Sequence, residues 1–296
     1  MSTRTYTVLG ATGNTGNPIA LALLEAGHNV RAVGRTADRL AALVQAGAEA
    51  HVGDITDADF LTTAFTGADA VYTLLPPAWG LPSFRAYQAR ATDAILDAID
   101  RADVSHSVLL SSIGAHLPSG TGPIVGLYDH EQRLAALTTG NHLALRAPYF
   151  LENMMMSLET AKTQGFIGSP LVPDAAFPVM ATSDIAHEAT RALLELDFTG
   201  FTVRELIGPA NVSMRGFTDL VAARTGTPIA YVQFPYEAAQ EALTAMVGPD
   251  MAALYVEMYR GFNSGAVGPQ HPDTTIRSGQ VTPEVFAGIF AAAMAG

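Results

Sequence analysis

The chain has 296 residues, of which 49% are hydrophobic and only 15% are charged, and its formal net charge is −12. This composition is typical of a well-buried globular protein, and the acidic balance argues against binding to nucleic acid or to an acidic membrane. The chain contains no cysteine, which excludes disulfides, thiol catalysis and thiolate metal sites. Because no window approaches about 18 consecutive apolar residues and the first strand follows the N-terminus directly, we expect a cytoplasmic protein without a membrane span or signal peptide.

The first predicted strand, residues 5–9, leads into a turn of small residues and then into a helix with Pro18 in its first turn. Glycines permit the sharp turn and leave room for a diphosphate, while the helix N-terminus offers amide groups to the same anion. Because strand, turn and helix occur in this order, the segment predicts dinucleotide binding. The expected cofactor contacts in this turn are Gly10, Thr12, Gly13, Asn14, Thr15 and Gly16.

Strands and helices go on alternating through the first half of the chain, which is the pattern of a doubly wound parallel sheet. The helices are expected up to Gly27, around 39–44, around 60–65 with Thr56 as the cap, and over 84–102. The six predicted strands are residues 5–9, 29–33, 48–52, 70–75, 107–112 and 142–146.

The pattern loosens after Pro148. A helical stretch begins at Met154, residues 165–178 are rich in loops, another helix begins at Ser183, and longer helices follow Gly208. We therefore predict a Rossmann-type α/β domain over 1–150 that also takes back part of 179–208. A smaller, mainly helical substrate or lid lobe is predicted over 151–296, above the carboxyl ends of the strands where ligands bind in such sheets.

Five segments give the chain a more specific resemblance: Gly10–Gly16, Val30–Arg35, Gly53–Asp57, Leu74–Pro77 and Arg146–Asn153. In this order they resemble the NmrA-like proteins, which are atypical short-chain dehydrogenases/reductases. The resemblance covers essentially the whole chain and implies a Rossmann fold with a small C-terminal lobe and a preference for NADP(H). The family includes NADPH-dependent quinone reductases, other reductases of small apolar compounds, and NADP-binding redox sensors without demonstrated catalysis.

Arg35 follows the second predicted strand, where an NAD-specific domain usually carries a carboxylate. A guanidinium can pair with a 2′-phosphate, and Arg39 lies one turn further on; the alternative is a solvated arginine that opens a helix. Asp54 and Ile55 resemble the pair that borders the adenine ring, although a plain loop before a helix would look the same. The residues expected to run under the cofactor ribose and diphosphate are Leu74, Leu75 and Pro76.

Ser111 and Ser112 end the fifth predicted strand and match the place of the serine in the short-chain dehydrogenase triad. Tyr128 is the candidate for the tyrosine, but the fourth residue after it is Gln132 instead of lysine. The only lysine, Lys162, has Leu158 four residues before it, so the Tyr-x-x-x-Lys dyad is absent.

We therefore predict Tyr128 and Ser112 as the catalytic residues, with His130 or a water as the proton relay for Tyr128. A packed core or lid tyrosine is the alternative reading of Tyr128. Ser111 and Pro148, at the ends of the fifth and sixth predicted strands, complete the predicted cofactor-binding set.

The eight histidines show no ligand spacing, so no metal site is expected. Several apolar residues fall near the predicted carboxyl edge of the sheet, and one or two of them would form the wall of a flat hydrophobic pocket above the nicotinamide. These residues are Trp79, Tyr149, Phe150 and Met154–Met156.

The leading hypothesis is an NADPH-dependent oxidoreductase that transfers a hydride to a small apolar acceptor such as a quinone or an enone. Quinone reduction suits a site without a strong acid, because the quinol oxygens can take protons from water. The alternative is a non-catalytic NADP(H) redox sensor that regulates a protein partner, and a structural relic of the fold is a third reading. The sequence leaves open whether the partner is a second copy of the chain or a regulatory protein.

Overall fold

A computed structural model describes residues 2–271 and 276–296 of the chain. Its centre is an eight-stranded sheet in which every neighbouring pair of strands is parallel, in the order β13-β10-β6-β5-β4-β1-β2-β3. Six of these strands confirm the six predicted from the sequence. They are β1 (Thr5–Val8), β2 (Asn29–Gly34), β3 (Glu49–Val52), β4 (Ala70–Leu74), β5 (His106–Ser112) and β6 (Asn141–Ala147).

The remaining strands all come after residue 148. Of these, β10 and β13 extend the main sheet beyond β6, while the others form a three-stranded and a two-stranded sheet. The seven strands are β7 (Tyr149–Phe150), β8 (Phe166–Ser169), β9 (Phe177–Met180), β10 (Phe201–Ile207), β11 (Asn211–Val212), β12 (Ala230–Gln233) and β13 (Ile276–Arg277).

Helices cover both faces of the main sheet. On one face α1 packs against α7, and on the other α3 packs against α4 and α4 against α5. The helices are α1 (Gly16–Glu25), α2 (Ala37–Gln45), α3 (Ala58–Phe65), α4 (Phe84–Arg101), α5 (Val125–Leu134), α6 (Leu158–Gln164), α7 (Thr182–Glu195), α8 (Met214–Thr225), α9 (Tyr236–Val247), α10 (Pro249–Asn263) and α11 (Pro283–Ala295). Two 3₁₀ segments, Gly122–Ile124 and Leu151–Ser157, precede α5 and α6.

The central strands of the main sheet, β1, β4, β5 and β6, are buried on both faces, as strands of parallel sheets usually are. Successive strand residues point to opposite faces, so Tyr72 belongs to the apolar cluster under α1 and α7 while Val71 belongs to the cluster under α3 and α4. Both side chains have no exposed surface. This burial makes the sheet a rigid frame whose strand ends can position a site.

The C-terminal part of the chain has an apolar cluster of its own, to which α8, α10 and α11 contribute Phe217, Met251 and Phe290. The helix pairs α8–α11 and α9–α10 pack around it. The helical character of this region confirms the predicted fold class. The division of the chain at residue 150 stays a prediction.

One predicted helix cap is wrong. Asp57, instead of Thr56, caps α3, and its carboxylate accepts hydrogen bonds from the amides of Asp59 and Phe60. Thr56 donates both its amide and its hydroxyl to the Asp54 carboxylate at 2.9 Å. The Asp54 side chain therefore stabilises the turn that leads from β3 to α3.

Candidate functional site

The turn between β1 and α1 is closed by a hydrogen bond from the Gly13 amide to the Gly10 carbonyl at 2.9 Å. Gly10 has a φ of +60°, and a Cβ there would lie 2.8 Å from the Cδ2 atom of Leu74. A Cβ on Gly16 would overlap with the Gly10 carbonyl oxygen. The first and third glycines are therefore needed so that the helix can begin directly against the turn.

This turn leaves backbone amides available to an anion. Gly13 and Asn14 are exposed, and within the described part of the chain the amides of Asn14 and Thr15 donate to no acceptor. The Thr15 side chain is buried and accepts a hydrogen bond from the Tyr72 hydroxyl at 3.0 Å, which fixes the start of α1. Thr12 is half-buried beside it. The glycine cradle and the free amides fit a dinucleotide diphosphate.

Charged residues gather beyond the ends of β2 and β3. Arg35 directly follows β2, and Arg39 lies on α2; both side chains are exposed. Burial and the Asp54 carboxylate raise the pKa of Tyr87 on α4, while Arg35 and Arg90 act in the opposite direction. Arg35 and Asp54 therefore both lie within electrostatic range of the Tyr87 phenol.

Tyr87 and Arg90 were missed by the sequence reasoning. They belong to α4, and no local pattern signals that this helix passes the ends of β2 and β3. Ile55 follows Asp54 and is half-buried against the cluster under α3 and α4. Leu74, the last residue of β4, packs against Gly10. Leu75 and Pro76 follow it, and all three side chains are half-buried.

A buried charged network lies under the ends of β5 and β6. Arg146 pairs with Glu131 of α5 at 2.6 Å and with Glu205 of β10 at 3.4 Å, and all three side chains are at most 5% exposed. The Ser111 hydroxyl donates a hydrogen bond to Glu131. Because the hydroxyl proton is committed to Glu131, the Ser111 side chain can contact a cofactor only as a hydrogen-bond acceptor.

The two predicted catalytic residues do not form a dyad. The Ser112 hydroxyl donates to the Ile113 carbonyl at 2.9 Å. Tyr128 is half-buried on α5 and lines a cleft between α4 and α5 together with Arg85 and Gln132. Pro148 is buried between β6 and β7.

His130 is poorly suited to act as the predicted proton relay for Tyr128. His130 is fully buried, its Nδ1 atom lies 2.9 Å from the Thr92 hydroxyl, and its Nε2 atom has no partner among the described residues. Burial lowers the pKa of His130 to about 3, with a smaller contribution from Arg133. His130 is therefore neutral near pH 7. Lys162 is exposed on α6, and Leu158 is the first residue of that helix.

An apolar cavity of about 340 Å³ lies beside the loops that follow β5 and β6. Val267 lines it and approaches Gly114, just after β5, where a Cβ would lie 3.2 Å from a Val267 methyl group. The Tyr149 ring follows β6 and packs edge-on against two lining rings, Phe177 at 5.3 Å and Phe262 at 5.8 Å. The other lining residues are Leu171, Val172, Ala175, Ala176, Pro178, Asn263, Ser264 and Gly265.

The other residues predicted to form the wall of a pocket above the nicotinamide do not line this cavity. Trp79 is 63% exposed in the loop after β4, and Met156 is exposed, whereas Met154 is buried in the C-terminal cluster. Phe150 and Met155 are half-buried. Within residues 2–271 and 276–296, no three or more metal-ligating side chains come together, and no helix is long and apolar enough to cross a membrane.

Comparison with known proteins agrees with this geometry. Residues 10–138 match the family model of NAD(P)H-binding domains. The chain is 26% identical over 248 residues to the NAD(P)H azoreductase of Xenophilus azovorans, covering 83% of this chain and 82% of that protein.

Solved structures show the same fold. The triphenylmethane reductase of Citrobacter sp. in complex with NADP(H) superimposes with a TM-score of 0.81 at 17% identity, over 97% of this chain and 99% of that one. NmrA, a negative transcriptional regulator in complex with NADP, superimposes with a TM-score of 0.66 at 16% identity, over 99% and 92% of the two chains.

The fold and the glycine cradle thus define an NAD(P)H-binding protein of the Rossmann type. In fold, the comparisons confirm the predicted resemblance to the NmrA-like, atypical short-chain dehydrogenases/reductases.

Proposed function

We propose that this protein is an NADPH-dependent reductase that transfers a hydride to a small apolar acceptor such as a quinone or an enone. One observation carries the proposal. The apolar cavity lined by Phe177, Phe262 and Val267 lies beside the carboxyl ends of β5 and β6, at the same edge of the sheet as the glycine cradle. Ligands bind at this edge in open α/β sheets.

On the cofactor side, the amides of Asn14 and Thr15 would hold the diphosphate, and Arg35 would pair with the 2′-phosphate. Asp54 and Tyr87 would border the adenosine. The nicotinamide supplies the hydride when the cofactor is bound, and the protein supplies placement and a dry pocket.

On the acceptor side, the size and lining of the cavity suit a flat apolar compound, since ligand pockets of about 300 Å³ and more are lined mainly by apolar and aromatic groups. The chain lacks the Tyr-x-x-x-Lys dyad, and His130 is neutral. Acceptors whose reduced oxygens take protons from water therefore fit this site better than simple ketones. The similarity to an azoreductase supports a reductase.

The test is NADPH oxidation measured with a panel of quinones, enones and aldehydes. We expect turnover with naphthoquinones and little with aliphatic ketones. Ala176→Trp, which adds bulk to the lining of the cavity, should raise the acceptor KM, whereas Ala136→Trp, at an exposed position after α5, should leave it unchanged. Background oxidation across the whole panel would contradict the proposal.

The commitment of Ser111 to Glu131, together with the missing dyad, favours a second candidate, a non-catalytic NADP(H) sensor that regulates a protein partner. This candidate requires cofactor binding without turnover and a partner set that depends on the redox state of the cofactor. Pull-downs with NADP⁺ and with NADPH decide it, and identical partner sets under the two conditions would eliminate the sensor.

A further inference from the structure

One wall of the apolar cavity is a connecting segment. Residues 170–176 join β8 to β9, and they contribute four of the residues that line the cavity, among them Leu171 and Val172. A connecting segment is not held by the regular hydrogen bonds of a helix or a strand, so its backbone groups need partners from elsewhere in the fold. The shape of this wall therefore depends on the side chains that supply those partners.

Asn263, the last residue of α10, lines the same cavity and supplies two of these partners. Its Oδ1 atom accepts a hydrogen bond from the Val172 amide at 2.9 Å, and its Nδ2 atom donates to the Pro170 carbonyl at 2.9 Å. Nδ2 also donates to the Tyr236 hydroxyl at 2.6 Å, at the start of α9. Because a backbone amide can only donate and a backbone carbonyl can only accept, these partners fix the orientation of the carboxamide. Asn263 thus joins the wall to both helices.

Neighbouring side chains hold this arrangement from two sides. The guanidinium of Arg260, one turn earlier on α10, lies over the Tyr236 ring at 4.0 Å from its centre. The Tyr231 hydroxyl, on β12, lies 2.6 Å from the Leu171 carbonyl and 3.0 Å from the Ser169 carbonyl. The wall is therefore fixed by specific polar contacts along its first residues.

The donors of the polar side chains that line the cavity are already used. Among the described residues of the lining, only Asn263 and Ser264 carry polar side chains. Both Nδ2 hydrogens of Asn263 are engaged, and the Ser264 hydroxyl donates to the Gly261 carbonyl at 3.0 Å. These side chains therefore offer a bound acceptor mainly shape and apolar contact, so affinity depends on the walls staying in place.

We propose that Asn263 is a positioning residue of the acceptor site, whose carboxamide holds residues 170–172 in the shape that fits a flat apolar acceptor; the inference rests on the proposed reductase function. Without the carboxamide, the Val172 amide and the Pro170 carbonyl turn to water and the wall loosens. Binding must then order the wall again, which lowers the affinity for the acceptor. Asn263 takes no part in hydride transfer, so the chemical step stays the same.

The first test measures turnover of a 1,4-naphthoquinone with NADPH. Asn263→Ala should raise the acceptor KM by about 10-fold and leave kcat within about twofold of wild type, which is the signature of lost uniform binding. Tyr236→Phe removes one of the three hydrogen bonds and leaves the two to the wall, so it should raise KM by only about 2- to 3-fold. This milder variant tests the same contact if Asn263→Ala folds poorly.

Asn141 provides the matched control. It begins β6, at the opposite edge of the main sheet from the cavity. Its Oδ1 atom accepts a hydrogen bond from the Gly200 amide at 2.9 Å, and its Nδ2 atom lies 3.4 Å from the Ser105 carbonyl and 3.3 Å from the His106 Nε2 atom. Asn141→Ala should therefore lower the free energy of unfolding in urea denaturation, as Asn263→Ala does, but leave the acceptor KM unchanged.

The second test measures binding and needs no turnover. The probe is N-phenyl-1-naphthylamine, a flat apolar compound whose fluorescence rises in apolar surroundings, titrated into the protein saturated with NADP⁺. Asn263→Ala should weaken its binding by about 10-fold, whereas Asn141→Ala should stay within about twofold of wild type.

The outcomes separate the two proposals. If Asn263→Ala and Tyr236→Phe leave both KM and probe affinity unchanged, or if Asn141→Ala impairs them equally, the positioning role is wrong. A fall in kcat at constant KM also overturns it, and so does a probe that fails to bind wild type. If probe binding weakens as expected but no acceptor is reduced, Asn263 still holds the cavity and the reductase function fails.

Discussion

The preference for NADPH over NADH can be tested by substituting two exposed arginines. Arg35 lies at the end of β2 with an exposed side chain, and Arg39 lies on the following helix. Among the described residues, neither guanidinium has an ion-pair partner. Both are therefore free to pair with the 2′-phosphate that distinguishes NADPH from NADH.

The expected magnitude follows from the exposure of these arginines. A charge-assisted hydrogen bond is worth about 1.5–3 kcal/mol, and solvent screening at an exposed position favours the lower end of that range. Arg35→Ala should therefore weaken NADPH binding by about 10-fold and leave NADH binding nearly unchanged. Because Arg39 can partly replace the lost charge, the double variant Arg35→Ala/Arg39→Ala should lose about 100-fold.

The assay uses the only tryptophan of the chain, Trp79, in the loop after β4. Energy transfer from this side chain to the reduced nicotinamide reports binding of NADPH and of NADH under the same conditions. Arg101→Ala is the matched control, since this exposed arginine ends α4 and pairs with Asp97 and Asp59. Equal binding of both cofactors by wild type, or preserved discrimination in the double variant, would refute the placement of the 2′-phosphate.

Three further predictions concern the frame of the site. Arg146→Ala should lower the free energy of unfolding by about 3–5 kcal/mol in urea denaturation, because it leaves two buried carboxylates without their partner, whereas Arg133→Ala should cost less than about 1 kcal/mol. Gly16→Ala should abolish NADPH binding in the fluorescence assay, because the new Cβ meets the Gly10 carbonyl, whereas Gly288→Ala, where a Cβ meets nothing, should not. The unfolded state binds a proton at His130 below about pH 6.5 while the folded state does not until about pH 3, so stability is lost as the pH falls through this window. Wild type should therefore lose about 2 kcal/mol more than His130→Gln between about pH 6.5 and pH 5, and an equal loss in both would contradict the buried neutral imidazole.

The sequence was most informative where the signal is local. The turn from Gly10 to Gly16 and the six alternating strands depend on neighbouring residues, and the structure reproduces them within one or two positions. The strands β10 and β13 were not predicted individually, because their place in the sheet depends on pairing with strands far away in the chain. The same reason explains why the contact between Ser111 and Glu131 was not predicted. Glu131 comes from a different element, and no spacing reveals that contact.

The buried network also bears on how the site can function without the usual dyad. Glu131 of α5 faces the sheet, where it binds Ser111 and Arg146, so this helix contributes a structural carboxylate under the ends of β5 and β6. Breaking such a pair is costly, which fixes α5 in place and commits Glu131 to the network. The predicted proton donor on this helix is therefore Tyr128, whose half-buried side chain lines the cleft between α4 and α5.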